Sequence, residues 1–416
     1  MRILLWHGYL LGGTGSNVYT RQLAREWSRA GYDVVVLSQE PRPEAYDIGT
    51  ATPVRPDVRG FLPVFVLDRY EGYDVRLLQE CELADLETWV EANADAVREH
   101  LPADLVFTNH VLLGGPVGVA SGAPFAVKAH GSELEYSMRG RPELEEWGAR
   151  ALEPARATFV GSAHIRAVLA EVCGSVDRVE EVPPGVDVDL WRPGDRGHAL
   201  ESLLEESRRD QPNPGNREER LPDDGNADRL ATFLAGDAPT IVYFGKLIEQ
   251  KGVDVLLDAL RGLDARAVVV GFGPERERLE GRAVDNGLRV LFTGPLEHRH
   301  LRHLLAFADA CVVPSVFPEA FGMVAAEAAA AGCPPVVARH SGLAEVAADL
   351  EAALAPPLAR LASFPTGDAA ALHERLATLL ALPAQDLSEL RATVRRVAEE
   401  RWSWAGIAQR LLELSL

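Results

Sequence analysis

Lysine is nearly missing from this chain of 416 residues. It occurs as Lys128, Lys246 and Lys251, and arginine carries almost all the remaining positive charge. Positive charge is short overall, with 42 Lys and Arg against 62 Asp and Glu and a formal net charge of -20. Such a chain lacks the basic footprint of a non-specific nucleic-acid binder and the polybasic segment of a protein held to anionic lipid. Cysteine is scarce too. Cys81, Cys173, Cys311 and Cys333 lie far apart with no Cys-x-x-Cys pair. That spacing argues against a disulfide framework or cysteine metal cluster and fits reduced, mostly buried thiols in a cytoplasmic protein. Long uncharged apolar runs are absent. The most apolar stretch, Phe321 to Ala338, carries Glu327, Gly332, Pro334 and Pro335, so it reads as a buried helix and strand, not a membrane span. The opening Met1-Arg2-Ile3-Leu4-Leu5-Trp6-His7-Gly8 is apolar only briefly and has no small-residue cleavage site. It reads as a first strand and not as a signal peptide.

What is present is enough apolar material for more than one core. Hydrophobic residues make up 47%, which excludes wholesale disorder, and the length predicts two domains. Short β-branched runs alternate with helical patterns, the signature of parallel α/β sheets. Strands are predicted at Ile3–Trp6, Tyr32–Leu37, Leu105–Thr108, Phe125–Ala129 and Thr158–Gly161, with helices over Asn17–Ala30, Leu83–His100 and from Ala163 to about Val172. Pro183-Pro184-Gly185 closes this first half. Residues from about 194 to 238 break the pattern with Asp210-Gln-Pro-Asn-Pro-Gly-Asn and Pro222-Asp-Asp-Gly-Asn. They read as a flexible surface insertion with a short helix near Leu200–Glu206. A second α/β series then runs from Thr240, and Asp386–Leu416 reads as helical. The expectation is two Rossmann-like domains, 1–190 and 191–398, facing a cleft with ligands at the carboxyl ends of the strands.

Four segments carry candidate chemistry. Gly12-Gly13-Thr14-Gly15-Ser16-Asn17 lies between a strand and a helix, where glycines admit a phosphate and the helix start favours an anion. It is a poor dinucleotide fingerprint, because Gly-x-Gly-x-x-Gly fails at Val18, although Glu40 could imitate a ribose-binding acid. Gly245-Lys246 and Lys251-Gly252 put two of the three lysines at a strand end and a helix start, where a departing diphosphate needs its charge neutralised. Glu319 precedes, and Glu327 sits inside, an alanine-rich helix read from about Gly322 to Ala331; a carboxylate there needs partners. His130 ends a strand of the first half, where a satisfied structural histidine is the plainer reading.

Taken together these residues resemble the retaining glycosyltransferases of family 4, which have the GT-B fold. Gly245-Lys246 with Lys251-Gly252, Gly271-Phe272-Gly273-Pro274, the Glu-x7-Glu pair Glu319/Glu327, and Ala331-Gly332-Cys333-Pro334-Pro335-Val336 carry the likeness. The glycine loop, His130-Gly131 and Pro184-Gly185-Val186-Asp187 agree with it. The resemblance implies a hexosyltransferase whose donor is a nucleotide-diphosphate sugar, with UDP-hexose the family expectation and no metal or other cofactor required. It implies that Glu319 contacts the transferred sugar and Glu327 the ribose. Lys246 and Lys251 would bind the diphosphate, and the amides of Phe321, Gly322, Met323 and Val324 would hold sugar hydroxyls and phosphate. Gly12 and Gly13 would approach the diphosphate, and His130 would lie near the reacting centre. The final helix, about 399–416, would cross back to the first domain, with Trp402 and Trp404 pinning the crossing or serving as ordinary core residues of the second. Two positions depart from the family pattern: Lys246 stands where arginine is usual, losing bidentate phosphate geometry, and Phe272 replaces a commoner polar residue. An epimerase of the same fold, an NAD-dependent oxidoreductase and a catalytically silent nucleotide-sugar binder are the alternatives. The first half is acidic, so membrane association is not expected. The acceptor is expected to be soluble, with Arg139 and Arg141 (and Arg150 beside them) a candidate anion site against the plainer reading of a solvated face.

Overall fold

Apolar runs such as Ile3–Trp6 and Ile241–Phe244 are buried on both faces, as strands of a parallel sheet covered by helices must be. The computed structural model describes residues 1–58, 60–65, 70, 72–213 and 221–416, and they fold as two units. The first comprises Met1–Gly185 with Trp404–Leu416, and the second Val186–Ser403.

In the first unit, β1 (Arg2–Trp6), β2 (Asp33–Leu37) and β3 (Thr52–Val54) precede a two-stranded sheet of β4 (Phe61–Val64) and β5 (Asp74–Leu77). Then follow β6 (Leu105–Asn109), β7 (Phe125–Lys128), β8 (Thr158–Val160) and β9 (Val179–Glu181). The main sheet has the order β3-β2-β1-β6-β7-β8-β9, all parallel. The second unit holds β10 (Thr240–Phe244), β11 (Arg266–Val270), β12 (Val290–Phe292), β13 (Ala310–Val313), β14 (Pro335–Ala338) and β15 (Ser363–Phe364). Their order is β12-β11-β10-β13-β14-β15, again parallel. Strand order reverses between β1 and β6 in the first sheet and between β10 and β13 in the second. Loops leaving the carboxyl ends of those strands diverge there and open a crevice.

The chain enters the second unit at Val186, whose N–H donates to the Trp402 carbonyl at 2.6 Å. It leaves between two tryptophans with different homes. Trp402 is fully buried in the second unit, where its indole N–H donates to Asp349 Oδ2 at 3.2 Å. Trp404 packs in the first unit, edge-on to Tyr19 at 5.2 Å. It opens the helix Trp404–Ser415, whose Ala408 carbonyl accepts from the Trp27 indole at 2.9 Å.

The segment 194–238, expected to be a flexible insertion with one short helix, is different. It contains the helices Arg196–Arg208 and Asn226–Phe233, which bury Ala199, Leu203 and Leu230 in the second unit's core. Asp223 grips Arg276 and Arg229, and the Asn226 amide donates to the Thr293 carbonyl at 2.8 Å. The turn-forming residues obscured a helical spacing of apolar positions that was there to be read. Residues 214–220 of that stretch lie outside the described residues. Among the described residues, no helix is long and apolar enough to cross a membrane.

Candidate functional site

At the switch point of the second sheet, Lys246 follows β10 and is exposed, with its carbonyl held by the Tyr243 hydroxyl at 2.8 Å. Lys251 ends the short turn Glu249–Lys251, and its ammonium pairs with Glu319 Oε1. Glu319 is fixed by more than this pair. Ser315 Oγ donates to Glu319 Oε1 at 2.6 Å, and the Glu319 N–H donates to Ser341 Oγ at 2.8 Å. His340 Nε2 lies 2.7 Å from the Ser315 carbonyl, which can only accept, so the ring proton sits on Nε2. In the neutral ring Nδ1 is then an acceptor, and Ser341 Oγ is 2.9 Å from it. Glu319, Ser341, His340 and Ser315 thus close a ring of hydrogen bonds running Glu319 N–H to Ser341, Ser341 to His340, His340 to Ser315, and Ser315 back to the Glu319 carboxylate. The ring fixes the carboxylate beside one lysine, and the second lysine is exposed to solvent.

The loop from Glu319 to Gly322 lies tight on the start of the helix Ser341–Ala353. A Cβ on Gly342 would come within 2.5 Å of the Phe321 Cα, so only glycine admits this approach. Gly322, at φ 121, turns the chain into the helix Met323–Ala330. The N–H groups of Ala325 and Ala326 already reach back to the Gly322 carbonyl. The amides of Phe321 through Val324 precede that ladder, where a helix start offers donors and a positive dipole end. Glu327 lies on this helix one turn on. Its side chain keeps some surface exposure yet is hemmed in by protein, and that desolvation pushes its carboxyl up to about 8. At neutral pH it is therefore mostly protonated and can both donate to and accept from a hydroxyl.

The first unit gathers three histidines at its switch point: His7 after β1, His110 after β6 and His130 after β7. His130 has ring centroids 4.7 Å from His110 and 5.1 Å from Tyr19, and His7 stacks on His110 at 5.7 Å. The Asn17 amide donates to the Gly12 carbonyl at 2.5 Å, which orients its oxygen toward His7 Nε2 at 2.8 Å. His7 is therefore protonated on Nε2, and its buried Nδ1 has no hydrogen-bond partner among the described residues. Burial, then the neighbouring His110, push its pKa down to about 3, so Nδ1 is a bare acceptor. Asn109 plays the same part for His130. Its amide donates to the Trp6 carbonyl at 3.1 Å and its oxygen lies 2.8 Å from His130 Nε2. Burial, then His110, hold His130 well below its ordinary value, so its Nδ1 is also an acceptor.

Beneath them, Glu133 is fully buried and binds His110 Nδ1 at 3.2 Å, the His130 N–H at 2.9 Å and the Val111 N–H at 3.3 Å. Burial alone would raise this carboxyl; the charge and hydrogen bond of His110, with the backbone donors, override it and hold it below the usual range. Lys128, the third lysine, is buried against the Tyr19 face, 5.6 Å from the ring centroid, and donates to the Val182 carbonyl at 2.8 Å. Burial pushes its ammonium down to about 7, with Glu133 opposing. It is a structural residue of the first unit.

Of the glycine loop, Gly12 faces the Tyr46 ring, whose hydroxyl a Cβ would meet at 2.6 Å unless that side chain shifted, and Gly13 takes φ 92 with open space around it. The Arg139 expectation needs correction. Its guanidinium is taken by Glu135, at 2.9 Å, and by Glu171, so it is not a free anion site. Arg141 is exposed and donates to the carbonyls of Tyr136 at 3.1 Å and Ser137 at 3.2 Å, tying down the turn after Glu133–Met138. Sequence reading missed Ser315, His340, His7, His110 and the anchoring role of Glu133. The one signal available was position: each of these histidines directly follows an apolar strand or lies within two residues of one.

Two parallel α/β units with polar clusters at their switch points, the second carrying paired lysines beside a carboxylate and a free helix start, define a glycosyltransferase of the GT-B class. The chain belongs to glycosyltransferase family 4. Residues 13–190 match Glycosyltransferase Family 4, and residues 226–401 match Glycosyl transferases group 1. The chain is 30% identical over 359 residues to a D-inositol 3-phosphate glycosyltransferase of Xylanimonas cellulosilytica, covering 80% of this chain and 78% of the relative. Among solved structures, sucrose-phosphate synthase from Thermosynechococcus elongatus superposes with TM-score 0.68 at 23% identity, over 99% of this chain and 98% of that one. Anabaena HepE, solved with UDP and glucose, gives TM-score 0.69 at 17% identity over the same shares.

Proposed function

We propose that this glycosyltransferase moves a hexose from a UDP-hexose, with retention of anomeric configuration, onto a small hydroxyl-bearing acceptor in the cytoplasm. The observation that carries the reading is the Lys251–Glu319 pair, held by the ring through Ser315, His340 and Ser341 directly before the helix Met323–Ala330.

In this reading the Phe321–Val324 amides take phosphate and sugar oxygens, and Glu319 takes a hydroxyl of the transferred sugar. Lys251 and the exposed Lys246 neutralise the diphosphate as it departs. The C1–O bond to the diphosphate breaks, the acceptor oxygen bonds to C1 on the same face, and its proton passes to the leaving phosphate oxygen. Glu327, mostly protonated at neutral pH, exchanges hydrogen bonds with the ribose hydroxyls. Gly12 and Gly13 leave room for the diphosphate. His130, which keeps some exposure, offers its Nδ1 as an acceptor for a hydroxyl donor, which favours a polyol. The inositol phosphate in the relative's name makes a phosphorylated polyol the first acceptor to try, with Arg141 and Arg150 the remaining arginines of the expected anion site. The four free cysteines fit a reducing compartment.

The test is incubation of UDP-glucose and UDP-N-acetylglucosamine with inositol 3-phosphate and with unphosphorylated polyols. The product's anomeric proton coupling is read by NMR. Net retention with UDP released supports the reading; inversion, or UDP tightly bound without turnover on any acceptor, overturns it.

A further inference from the structure

One surface pocket of the second unit is lined by none of the residues above. It is a broad depression of about 850 Å³, open to solvent, at the carboxyl ends of β14 and β15, with walls from Arg339, Ser363, Thr366, Arg360 and Arg375, and a single carboxylate, Glu351. Its charge runs against the chain, which has 62 acids to 42 bases. The one acid is already occupied: Glu351 Oε1 accepts from the Arg339 guanidinium and, at 2.7 Å, from the Ser363 hydroxyl. That bonding, after burial has worked against it, holds its carboxyl below the usual range.

Among the described residues, Arg360 is exposed and makes no ion pair. Arg375 pairs there with its exposed sequence neighbour Glu374 alone, at 3.5 Å, and its Nε is buried with no hydrogen-bond partner. A buried donor left unmatched is costly and needs explaining. Two surplus guanidiniums, a threonine hydroxyl and apolar walls from Leu354, Pro356 and Pro365 match one ligand chemistry: a phosphate monoester on a compact organic body. We propose that this pocket is a second binding site, separate from the transfer site, for a small phosphorylated metabolite. Ion-pair recognition of this kind weakens with salt. No residue assigned to donor binding lines the pocket, so the site is separate from the transfer reading; the folding check by UDP rests on that reading, and the variant's melting temperature without ligand stands in for it where UDP does not bind.

The test uses the full chain and two probes, inorganic phosphate and glucose 6-phosphate, titrated at low and high salt by calorimetry and by thermal shift. The comparison variant is Arg360→Ala/Arg375→Ala, which leaves the Arg339–Glu351–Ser363 cluster intact; UDP binding serves as its check on folding. Saturable binding of glucose 6-phosphate, weakened at least tenfold in the variant while UDP binding is unchanged, supports the site. If the double variant loses UDP binding as well, the milder Arg360→Glu, at an exposed position, replaces it and must weaken the probe by the same criterion. Equal binding to wild type and variant, or none by wild type up to about 10 mM, overturns the proposal. Stronger binding of glucose 6-phosphate than of inorganic phosphate distinguishes a metabolite site from one that takes free phosphate.

Discussion

The two switch points solve opposite problems. In the second unit the carboxylate is tied into a closed ring and one lysine is paired, while Lys246 is exposed. Charge there faces solvent, placed to meet a charged ligand. At the first unit's switch point the titratable groups are turned inward. His7 and His110 are buried, Lys128 is buried, and Glu133 beneath them is fully out of water. There the residues are locked in defined tautomers by Asn17, Asn109 and Glu133, and the buried His7 Nδ1 and His110 Nε2 have no hydrogen-bond partner among the described residues. One cluster is built to neutralise, the other to orient. The lesson is that identical topology at a sheet's reversal point does not dictate chemistry; the loops that leave it do.

The sharpest way to break this contrast is to remove charge from the second cluster. Lys251→Ala should lower kcat about a hundred- to a thousandfold, the range for losing one preorganised donor to developing charge, with the melting temperature almost unchanged. A tenfold loss or less in steady-state assays would remove Lys251 from the leaving-group role. Removing the anchor from the first cluster should act on stability instead. Glu133→Ala strands His110 Nδ1 and two backbone N–H groups in the interior, at about 3 kcal/mol. Chemical denaturation should show that loss, and Glu133→Gln, which keeps an acceptor, should recover part of it. If Glu133→Ala unfolds at the wild-type midpoint, the anchoring role is wrong.

Acid should separate the clusters next. His7 has a folded-state pKa of about 3 against an ordinary value of 6.5. Between those values the unfolded chain holds the extra proton, so stability rises with pH and is lost on acidification. Glu133, depressed in the fold, works in the same direction: its contribution is lost as pH falls through its folded value. Lys128 extends the trend upward, since its folded value of about 7 lies below its ordinary value of 10.5. Each group contributes at most about 1.4 kcal/mol per pH unit across its window. Melts from pH 5 to 7 should show a steep slope that His7→Gln flattens; an unaltered slope would mean that His7 is not held neutral.

Much of this was legible in the sequence, and the gaps have physical causes. Strands such as Thr240–Phe244 declared themselves by unbroken β-branched runs, and Lys251, Glu319 and Glu327 by lying where polar residues interrupt apolar segments. The insertion misled because turn formers at 210–216 and 222–226 outweigh, to the eye, the spacing of Ala199, Leu203 and Leu230. The ring around Glu319 was invisible for a different reason. Ser315, His340 and Ser341 come from loops after two neighbouring strands, and only the sheet order brings them together. Arg139 failed because its acids, Glu135 and Glu171, are 4 and 32 residues away in sequence, and only the nearer could be paired by helical spacing. Trp402 and Trp404, two residues apart, serve different units, a division that no composition or periodicity encodes.

The smallest expected effect is the most discriminating, because it reverses the sign of the acid response. Glu327 is a carboxyl raised in the fold to about 8 from an ordinary value of 4.5. The folded chain therefore holds the extra proton between those values, and this group's contribution is complete below the lower one and lost as pH rises through the upper. Where the first cluster gains stability with rising pH, this position loses it. Glu327→Gln, which mimics the protonated form, should thus be nearly neutral at pH 5 and stabilising at pH 9, by on the order of 1 kcal/mol, less than full burial would give because the side chain keeps some exposure. UDP affinity should fall only a few-fold in this variant, since an amide can still donate to and accept from ribose hydroxyls, whereas Glu327→Ala should lose about tenfold or more. Calorimetric titration with UDP at pH 7 and 9 reads both effects. Gln and Ala variants that bind UDP equally well would move Glu327 out of the ribose site and leave its raised pKa a property of the helix core alone.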